Sequence, residues 1–468
     1  MNRKTFFLVS LGCAKNTVDS DSMAQLLSKD GYRSVPKPSQ ASVLIVNTCG
    51  FIGPAKEQSF EALRDLAREK RRGQLLIAAG CLTQRYGMEV AQKVRGIDGI
   101  LGTRRWMDIV QVVKKLRQGG HPGTLYHLPE TPTVGRDEGD ALRVSVQGPS
   151  AYLKIADGCR RPCAFCAIPL IKGTAVSRPV ENIIHEARLL RDSGVRELIL
   201  IAQDTTDYGH DLGLKDGLAV LLEQLTDSVP DMDWIRIMYA YPGYVTDRLI
   251  EVMASRKQIL PYLDMPLQHA HPKTLYRMKR PSNIEWVHKT LDKMRSAFND
   301  KPQSLAIRTT FIVGYPGETE EEFQALYDFV EQTRFDRAGA FKFSFEPGTA
   351  SESLGDPVPD EVKEERYNRL MELQQAISLE INQSYVGQTL DVLVDGYDNG
   401  ISVGRSYRDA PEVDGLVVIE GELPLGEIVP IRISGGLVYD LTGVPAGLNI
   451  LSLPGVNFGD GNPNRELL

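Results

Sequence analysis

Three closely spaced cysteines constrain this chain more than any other feature. Cys159, Cys163 and Cys166 form a C-x3-C-x2-C pattern shortly after a strand-like run at residues 151–156. Soft thiolate ligands select iron–sulfur clusters, zinc or copper(I). Three thiolates on one loop hold three corners of a cubane cluster and leave the fourth iron open for a substrate or cofactor. The spacing therefore predicts an iron–sulfur cluster with one open coordination position.

Zinc is the alternative metal for such a triplet. A structural zinc site normally closes its fourth position with a nearby cysteine or histidine. The nearest histidine in the sequence is His185, well outside the loop. The loop therefore favours a cluster over zinc.

The composition is that of an ordinary globular protein, with 42% hydrophobic and 25% charged residues. The 468 residues give room for roughly three domains. Apolar runs fall short of the roughly 20 residues that a membrane helix needs, and the N-terminal run is too short for a signal peptide. We therefore expect a cytoplasmic protein without a membrane partner. In that compartment its six cysteines serve metal binding or redox chemistry rather than disulfides.

Residues 1–119 alternate short apolar runs with amphipathic stretches, a βαβ series that predicts an open, doubly wound parallel sheet. The apolar runs resemble buried parallel strands because nearly every position is hydrophobic. The predicted strands are residues 6–10, 42–47 and 74–79, and the predicted helices are residues 17–29, 54–71 and 84–95.

The other three cysteines each follow one of these predicted strands. Cys13, Cys49 and Cys81 would therefore meet at the carboxyl edge of the sheet, where such folds bind ligands. Glycines beside them let the backbone approach a bulky group. Three separately buried free cysteines are the alternative, since free cysteine often acts as a small core residue. The equivalent placement on three successive strands favours a second three-cysteine cluster site.

Residues 120–148 are rich in proline, glycine and charge, which predicts a linker. Residues 149–372 hold a second alternating series. Its six βα units are too few for a closed eight-stranded barrel, so we expect a partial (β/α)6 barrel with its chemistry at the carboxyl ends of the strands. The predicted strands are residues 151–156, 197–202, 234–239, 262–266, 306–313 and 338–345.

A predicted helix at residues 359–383 leads into a C-terminal module at residues 376–446. Short apolar runs separated by glycines predict a small five-stranded barrel of the OB-like kind there, a fold often used for binding. Residues 447–468 have no hydrophobic periodicity and predict a loosely attached tail.

The net charge of −7 is concentrated at residues 381–446, where three arginines oppose ten acidic residues. An RNA-binding module should be basic, whereas an acidic one attracts a basic protein. The distribution favours a basic protein partner without stable nucleic-acid binding, and a role in solubility is the alternative. The basic runs at residues 68–72 and 279–280 are typical of solvated helix ends. The ten acidic residues are Asp391, Asp395, Asp398, Asp409, Glu412, Asp414, Glu420, Glu422, Glu427 and Asp440.

The cysteine loop over a partial barrel resembles the radical S-adenosylmethionine superfamily. Together with the cysteine-bearing sheet and a TRAM-like C-terminal barrel, the layout is similar to the methylthiotransferases over nearly the whole chain. The stretches 177–181, 201–209, 265–270 and 405–415 resemble the RimO branch, which modifies a small-subunit ribosomal protein. The MiaB branch, which modifies tRNA, usually has different residues in the last two of these stretches.

This resemblance implies two four-iron four-sulfur clusters. The catalytic one would lie on Cys159, Cys163 and Cys166, with its open iron bound to S-adenosylmethionine as radical source and methyl donor. The second, on Cys13, Cys49 and Cys81, would carry or supply sulfur. An electron donor such as flavodoxin or ferredoxin is also implied. The implied contacts to S-adenosylmethionine are Phe165, Gln203, Asp204, Arg308, Ile312 and Gly314, with ordinary packing or surface polarity as the alternative for the last five.

The function implied by the resemblance is insertion of a methylthio group at the β-carbon of an aspartate in small-subunit ribosomal protein twelve. The alternative is a tRNA methylthiotransferase of the MiaB kind that acts on a modified adenosine beside the anticodon. A non-enzymatic iron–sulfur sensor is a third hypothesis, which the open-iron loop over a barrel disfavours.

Overall fold

The computed structural model describes residues 4–119, 123–128 and 141–447. Within these ranges the chain forms an N-terminal sheet domain, a central partial barrel and a closed C-terminal barrel. None of the helices in the described ranges is both long enough and apolar enough to cross a membrane.

The strands and helices follow one another in three series. The strands are β1 (Thr5–Ser10), β2 (Arg33–Ser34), β3 (Val43–Thr48), β4 (Leu75–Gly80), β5 (Gly99–Gly102), β6 (Leu125–His127), β7 (Val144–Gln147), β8 (Ser150–Lys154), β9 (Ala156–Asp157), β10 (Val176–Ser177), β11 (Glu197–Ile201), β12 (Trp234–Ile237), β13 (Ile259–Asp264), β14 (Ala306–Val313), β15 (Arg337–Lys342), β16 (Thr389–Asp398), β17 (Ile401–Ser406), β18 (Val417–Glu420), β19 (Ile428–Gly436) and β20 (Leu441–Pro445). The α-helices are α1 (Ala14–Lys29), α2 (Gly53–Glu69), α3 (Cys81–Lys93), α4 (Ile109–Gln118), α5 (Ile168–Lys172), α6 (Val180–Asp192), α7 (Gly217–Ser228), α8 (Asp247–Ser255), α9 (Pro272–Arg277), α10 (Ile284–Ala297), α11 (Glu320–Thr333) and α12 (Asp360–Ser384).

The N-terminal sheet confirms the predicted doubly wound topology. Its strands run in parallel in the order β2-β1-β3-β4-β5-β6. Alternate residues of β3 enter different cores: Val43 and Ile45 pack with residues of α1 and α4, whereas Leu44 and Val46 pack with residues of α2 and α3. Because helices cover both faces, the strand needs apolar residues at nearly every position.

The central sheet has the order β15-β14-β13-β12-β11-β8-β7 in the part of the chain that the structure describes. The six strands β8 and β11 to β15 are parallel, which confirms the partial (β/α)6 barrel. The helices α6, α7, α8, α10, α11 and α12 contribute residues to the core that covers its outer face. On the inner face, Tyr152 and Ile199 belong to a second core that is shared with the C-terminal barrel.

The linker prediction for residues 120–148 is wrong at both ends of that segment. β6 pairs in parallel with β5, and β7 pairs in antiparallel fashion with β8. Strands of three and four residues are too short to show a periodic pattern. The linker prediction therefore rested on the proline and glycine content of the segment. Residues 129–140, and the predicted tail from residue 448 onward, lie outside the described residues.

The C-terminal module is a closed barrel of the five strands β16-β17-β18-β20-β19, as predicted. The ten-residue β16 pairs with both β17 and β19, which lets a short chain close the sheet on itself. Closure leaves no free strand edge exposed to other chains.

A buried carboxylate joins this barrel to the central sheet. Glu197 of β11 accepts hydrogen bonds from Arg236 Nε at 2.7 Å and from Arg405 Nη1 of β17 at 2.8 Å. Burial alone would raise the pKa of Glu197, but the two guanidinium groups outweigh it and hold that pKa at about 2. The two domains therefore share one fully buried ion network.

We expect Glu197→Gln to lower the free energy of unfolding by about 3–5 kcal/mol, because the Arg236 guanidinium would stay buried without a carboxylate and Arg405 would keep only Asp395. Urea denaturation followed by circular dichroism measures the change. The matched control is Glu427→Gln, which removes the exposed bridge to Arg196 at the same domain boundary and should cost less than about 1 kcal/mol. Equal losses in the two variants would contradict the role of the buried carboxylate.

Candidate functional site

All six cysteines line one cavity of about 460 Å³ between the N-terminal sheet and the partial barrel. The first three follow β1, β3 and β4, and the other three lie in the loop after β8 and β9. Both sets thus lie at carboxyl ends of parallel strands, as the topology predicts. We call them the N-terminal triad (Cys13, Cys49 and Cys81) and the barrel triad (Cys159, Cys163 and Cys166).

Glycines allow the loops of the N-terminal triad to approach one another. Gly12 has a φ of +97°, and a Cβ there would lie 3.1 Å from Cys49 Sγ. Gly80 has a φ of +102°, and a Cβ there would lie 2.7 Å from the backbone nitrogen of Thr48. A larger residue at either position would be strained and would push two of the strand ends apart.

Each sulfur of the barrel triad accepts one N–H hydrogen bond at 3.5 Å. In chain order the donors are the backbone of Arg161, the Arg280 side chain and the backbone of Ile168. Donors of this kind stabilise negative charge on cluster-bound sulfur and tune the reduction potential.

The geometry fits a cluster better than a zinc site. No three His, Cys, Asp or Glu side chains within the described ranges converge closely enough to bind a single metal ion. Zinc requires four ligands at about 2.0–2.3 Å from one point, whereas a cubane holds each thiolate on a separate iron. The N–H donors to the sulfurs supply the environment that a cluster needs.

Burial keeps most of these thiols protonated in the cluster-free protein. It raises the pKa of Cys159 to about 11 and the pKa values of Cys81 and Cys166 to about 12, and it also raises that of Cys49. Because only the thiolate binds metal, cluster assembly must release protons from these groups.

Four of the six predicted contacts for S-adenosylmethionine lie on the cavity wall: Phe165, Gln203, Asp204 and Arg308. Gln203 Oε1 is buried and has no hydrogen-bond partner among the described residues. An unpaired buried acceptor is costly, so it fits a ligand that brings an N–H donor, such as an amino group. Asp204 accepts a hydrogen bond from Arg161, and Arg308 donates one to Asp264 at 2.8 Å.

The other two predicted contacts do not line the cavity. Ile312 packs with Phe165 against the small core of Tyr315 and Phe343, which places it behind the wall. The backbone N–H of Gly314 donates to the Glu318 carboxylate at 3.1 Å.

The basic and aromatic part of the wall was not predicted from the sequence. Arg280, which we expected at a solvated helix end, is only 8% exposed. Its guanidinium lies 4.1 Å from the ring centroid of Tyr241, and that of Arg161 lies 4.7 Å from the same ring. Two tyrosines directly after β12, Tyr239 and Tyr241, were the available signal, because strand ends face the site in this fold.

Lys15 is another residue that the sequence analysis missed. It lies in α1, two residues after Cys13, and lines the same cavity. Its Nζ lies 3.0 Å from the ring centroid of Tyr239. Burial lowers the pKa of Lys15, and the nearby Cys13 and Asp264 partly oppose that shift.

A known protein family or domain matches each of the three parts of the chain. The model of the uncharacterized protein family UPF0004 matches residues 5–102, that of the radical SAM superfamily matches residues 153–330, and that of the TRAM domain matches residues 386–445.

Several curated relatives cover nearly the whole chain, and each is named ribosomal protein uS12 methylthiotransferase RimO. The relative from Chloroflexus aurantiacus is 48% identical over 94% of this chain and 99% of its own length. The relative from Herpetosiphon aurantiacus is 47% identical with the same coverage. The relative from Roseiflexus sp. is 44% identical over 94% of this chain and 96% of its own length.

A solved structure shares the fold at low sequence identity. The radical S-adenosylmethionine methyltransferase TsrM from Kitasatospora setae, with cobalamin and a 4Fe-4S cluster bound, is 13% identical. It aligns with a TM-score of 0.56 over 88% of this chain and 82% of that one. At this identity the likeness concerns the fold alone.

We expect alkylation of the cluster-free protein by iodoacetamide at pH 8 to be strongly selective. A thiol whose pKa is about 12 has a thiolate fraction of about 1 in 10,000 at that pH, and only the thiolate reacts. Cys81 and Cys166 should therefore react at least about 100-fold more slowly than Cys13, which is exposed. Peptide mass spectrometry over time measures the rates, and equal rates at the three positions would contradict this account.

Proposed function

Because the chain belongs to the RimO family of ribosomal protein uS12 methylthiotransferases, which are radical S-adenosylmethionine enzymes, we propose that it inserts a methylthio group into uS12. The acceptor atom in this proposal is the β-carbon of an aspartate. The observation that carries the proposal is the convergence of both cysteine triads on one cavity. A radical source and a sulfur source must both reach the same carbon, and a shared cavity provides that.

In this proposal the barrel triad holds a four-iron four-sulfur cluster whose open iron binds S-adenosylmethionine, and the N-terminal triad holds a second such cluster. When bound, these groups supply hydrogen abstraction from an unactivated carbon and the sulfur that is inserted. Flavodoxin or ferredoxin would supply electrons. A ribosomal substrate would place the enzyme in the cytoplasm.

The chain's own residues bind and orient these groups. Gln203 Oε1 would accept a hydrogen bond from the amino group of S-adenosylmethionine, because it is a buried acceptor of the cavity wall without a protein partner among the described residues. Phe165 would pack beside the adenine, and Ile312 packs against the same small core as Phe165. Asp204 and Arg308 complete the polar wall and are held in place by Arg161 and Asp264.

The exposed surface of the C-terminal barrel supports a basic protein substrate. Arg405 and Arg408 are buried, so in the described part of the barrel Arg432 is the exposed arginine that remains to offset the acidic side chains. One exposed arginine thus faces six exposed acidic residues, so the surface is strongly acidic and would repel a phosphate backbone. The exposed acidic residues are Asp391, Asp398, Glu412, Glu420, Glu422 and Glu427.

This charge distribution also argues against the tRNA-modifying alternative. Tyr385 and Tyr407, two of the tyrosines in this region, are buried and hydrogen-bonded to each other at 3.2 Å. They fill the boundary between the C-terminal barrel and the central sheet, where no RNA base reaches them.

We expect anaerobically reconstituted protein with reductant, sulfide and S-adenosylmethionine to add one sulfur and one CH2 to an aspartate of purified uS12. Tandem mass spectrometry locates the added mass. Bulk tRNA, incubated in parallel, should remain unmodified. Addition to tRNA and none to uS12 would replace this proposal with the MiaB-type activity.

We expect the double substitution Glu420→Lys/Glu422→Lys to weaken uS12 binding about 10-fold at low salt, because it places positive charge on the acidic surface. The effect should shrink at about 0.5 M salt, where exposed charges are screened. Glu181→Lys/Glu251→Lys, on the outer helices of the partial barrel, is the matched control and should leave the Kd unchanged. Equal weakening by both pairs would show that the acidic barrel is not the docking surface.

A further inference from the structure

Lys15 differs from the other cationic side chains of the cavity wall. Each of the others has a protein partner. Three form ion pairs with carboxylates: Lys172 with Asp19, Arg161 with Asp204, and Arg308 with Asp264. Arg280 donates hydrogen bonds to Cys163 Sγ and to the Pro266 carbonyl. Among the described residues, Lys15 Nζ has neither a carboxylate within 4.0 Å nor a hydrogen-bond acceptor; its close contact is the Tyr239 ring. The N–H donors that do not face the ring are therefore left for a ligand.

The backbone of Tyr239, whose ring lies beneath Lys15, is held by hydrogen bonds on both sides. Tyr239 has a φ of +62°, an uncommon conformation for a residue with a side chain. Its N–H donates to Asp264 Oδ2 at 3.1 Å, and its carbonyl accepts from the backbone N–H of Thr205 at 3.0 Å. The ammonium group thus lies over the ring of a residue with a fixed backbone, at the boundary between the N-terminal domain and the partial barrel.

The proposed reaction needs a cation at this place. The β-carbon of an aspartate is one bond away from its carboxylate, so the carboxylate must enter the cavity with the reacting carbon. A cubane cluster with three thiolates is anionic overall, and two such clusters would repel a carboxylate that no cation offsets. A neutral side chain would face no such barrier.

We propose that Lys15, positioned on Tyr239, binds the carboxylate of the substrate aspartate and thereby selects an acidic side chain at the reacting carbon. This inference rests on the proposed function, and it identifies a residue for substrate specificity that lies outside both cysteine triads.

The test is a binding comparison with reconstituted enzyme and fluorescently labelled uS12, in two forms that carry aspartate or asparagine at the modified position. Wild-type enzyme should prefer the aspartate form by about 10- to 100-fold in Kd, the usual range for a hydrogen bond to a charged group. In Lys15→Met the two forms should bind alike, with the affinity of the wild type for the asparagine form. Lys15→Arg keeps the charge and should retain part of the preference.

Three controls separate this role from a structural one. Lys15→Met should keep the iron content and the Kd for S-adenosylmethionine of the wild type. Lys29→Met, at the exposed far end of the same helix, should keep the preference for aspartate in full. The methylthiolation rate should fall in Lys15→Met through KM rather than through the iron sites.

Two outcomes overturn the inference. If Lys15→Met retains the preference for aspartate, or loses it together with the affinity for S-adenosylmethionine, Lys15 does not select the substrate through its carboxylate. If wild-type enzyme binds neither form of uS12, the proposed function fails and this inference fails with it.

Discussion

Asp19 lies in α1, where the N-terminal domain meets the partial barrel, and it is almost completely buried. Its carboxylate accepts hydrogen bonds from Lys154 of β8 and from Lys172 Nζ of α5, the latter at 2.7 Å. Asp157 and Arg143 extend the same network. Burial alone would raise the pKa of Asp157, but Lys154, Lys172 and Arg143 outweigh it and hold that pKa well below its usual range.

The position of this network in the chain explains why the two triads share a cavity. α1 begins directly after the first cysteine of the N-terminal triad, α5 begins two residues after the last cysteine of the barrel triad, and Asp157 lies two residues before the first. The charges that join the domains thus belong to the same elements as the cysteine loops. Buried charges are costly unless each is paired, so the domains have one favourable register, in which the two triads face each other.

Much of this architecture was predictable because it rests on local patterns. All-apolar strands, cysteines at strand ends and glycine-separated runs predicted the two sheets and the closed barrel. Contacts between residues far apart in the sequence were not predictable. Lys15 meets Tyr239 only after the domains associate, and Arg280 is buried within the partial barrel although its neighbours in sequence indicate a solvated helix end. The family resemblance implied that Gly314 contacts S-adenosylmethionine, yet Gly314 does not line the cavity. The count of charges along the sequence likewise did not show that Arg405 is buried in an ion pair with Glu197.

The most direct test of the central claim is the electron paramagnetic resonance spectrum of the reduced, reconstituted protein. If both clusters lie in one cavity, their spins interact. The wild-type spectrum should then differ from the sum of two spectra, each recorded from a variant in which one triad is replaced by alanines. A wild-type spectrum equal to that sum would contradict the shared cavity, and a protein that binds iron at one triad alone would contradict the second cluster.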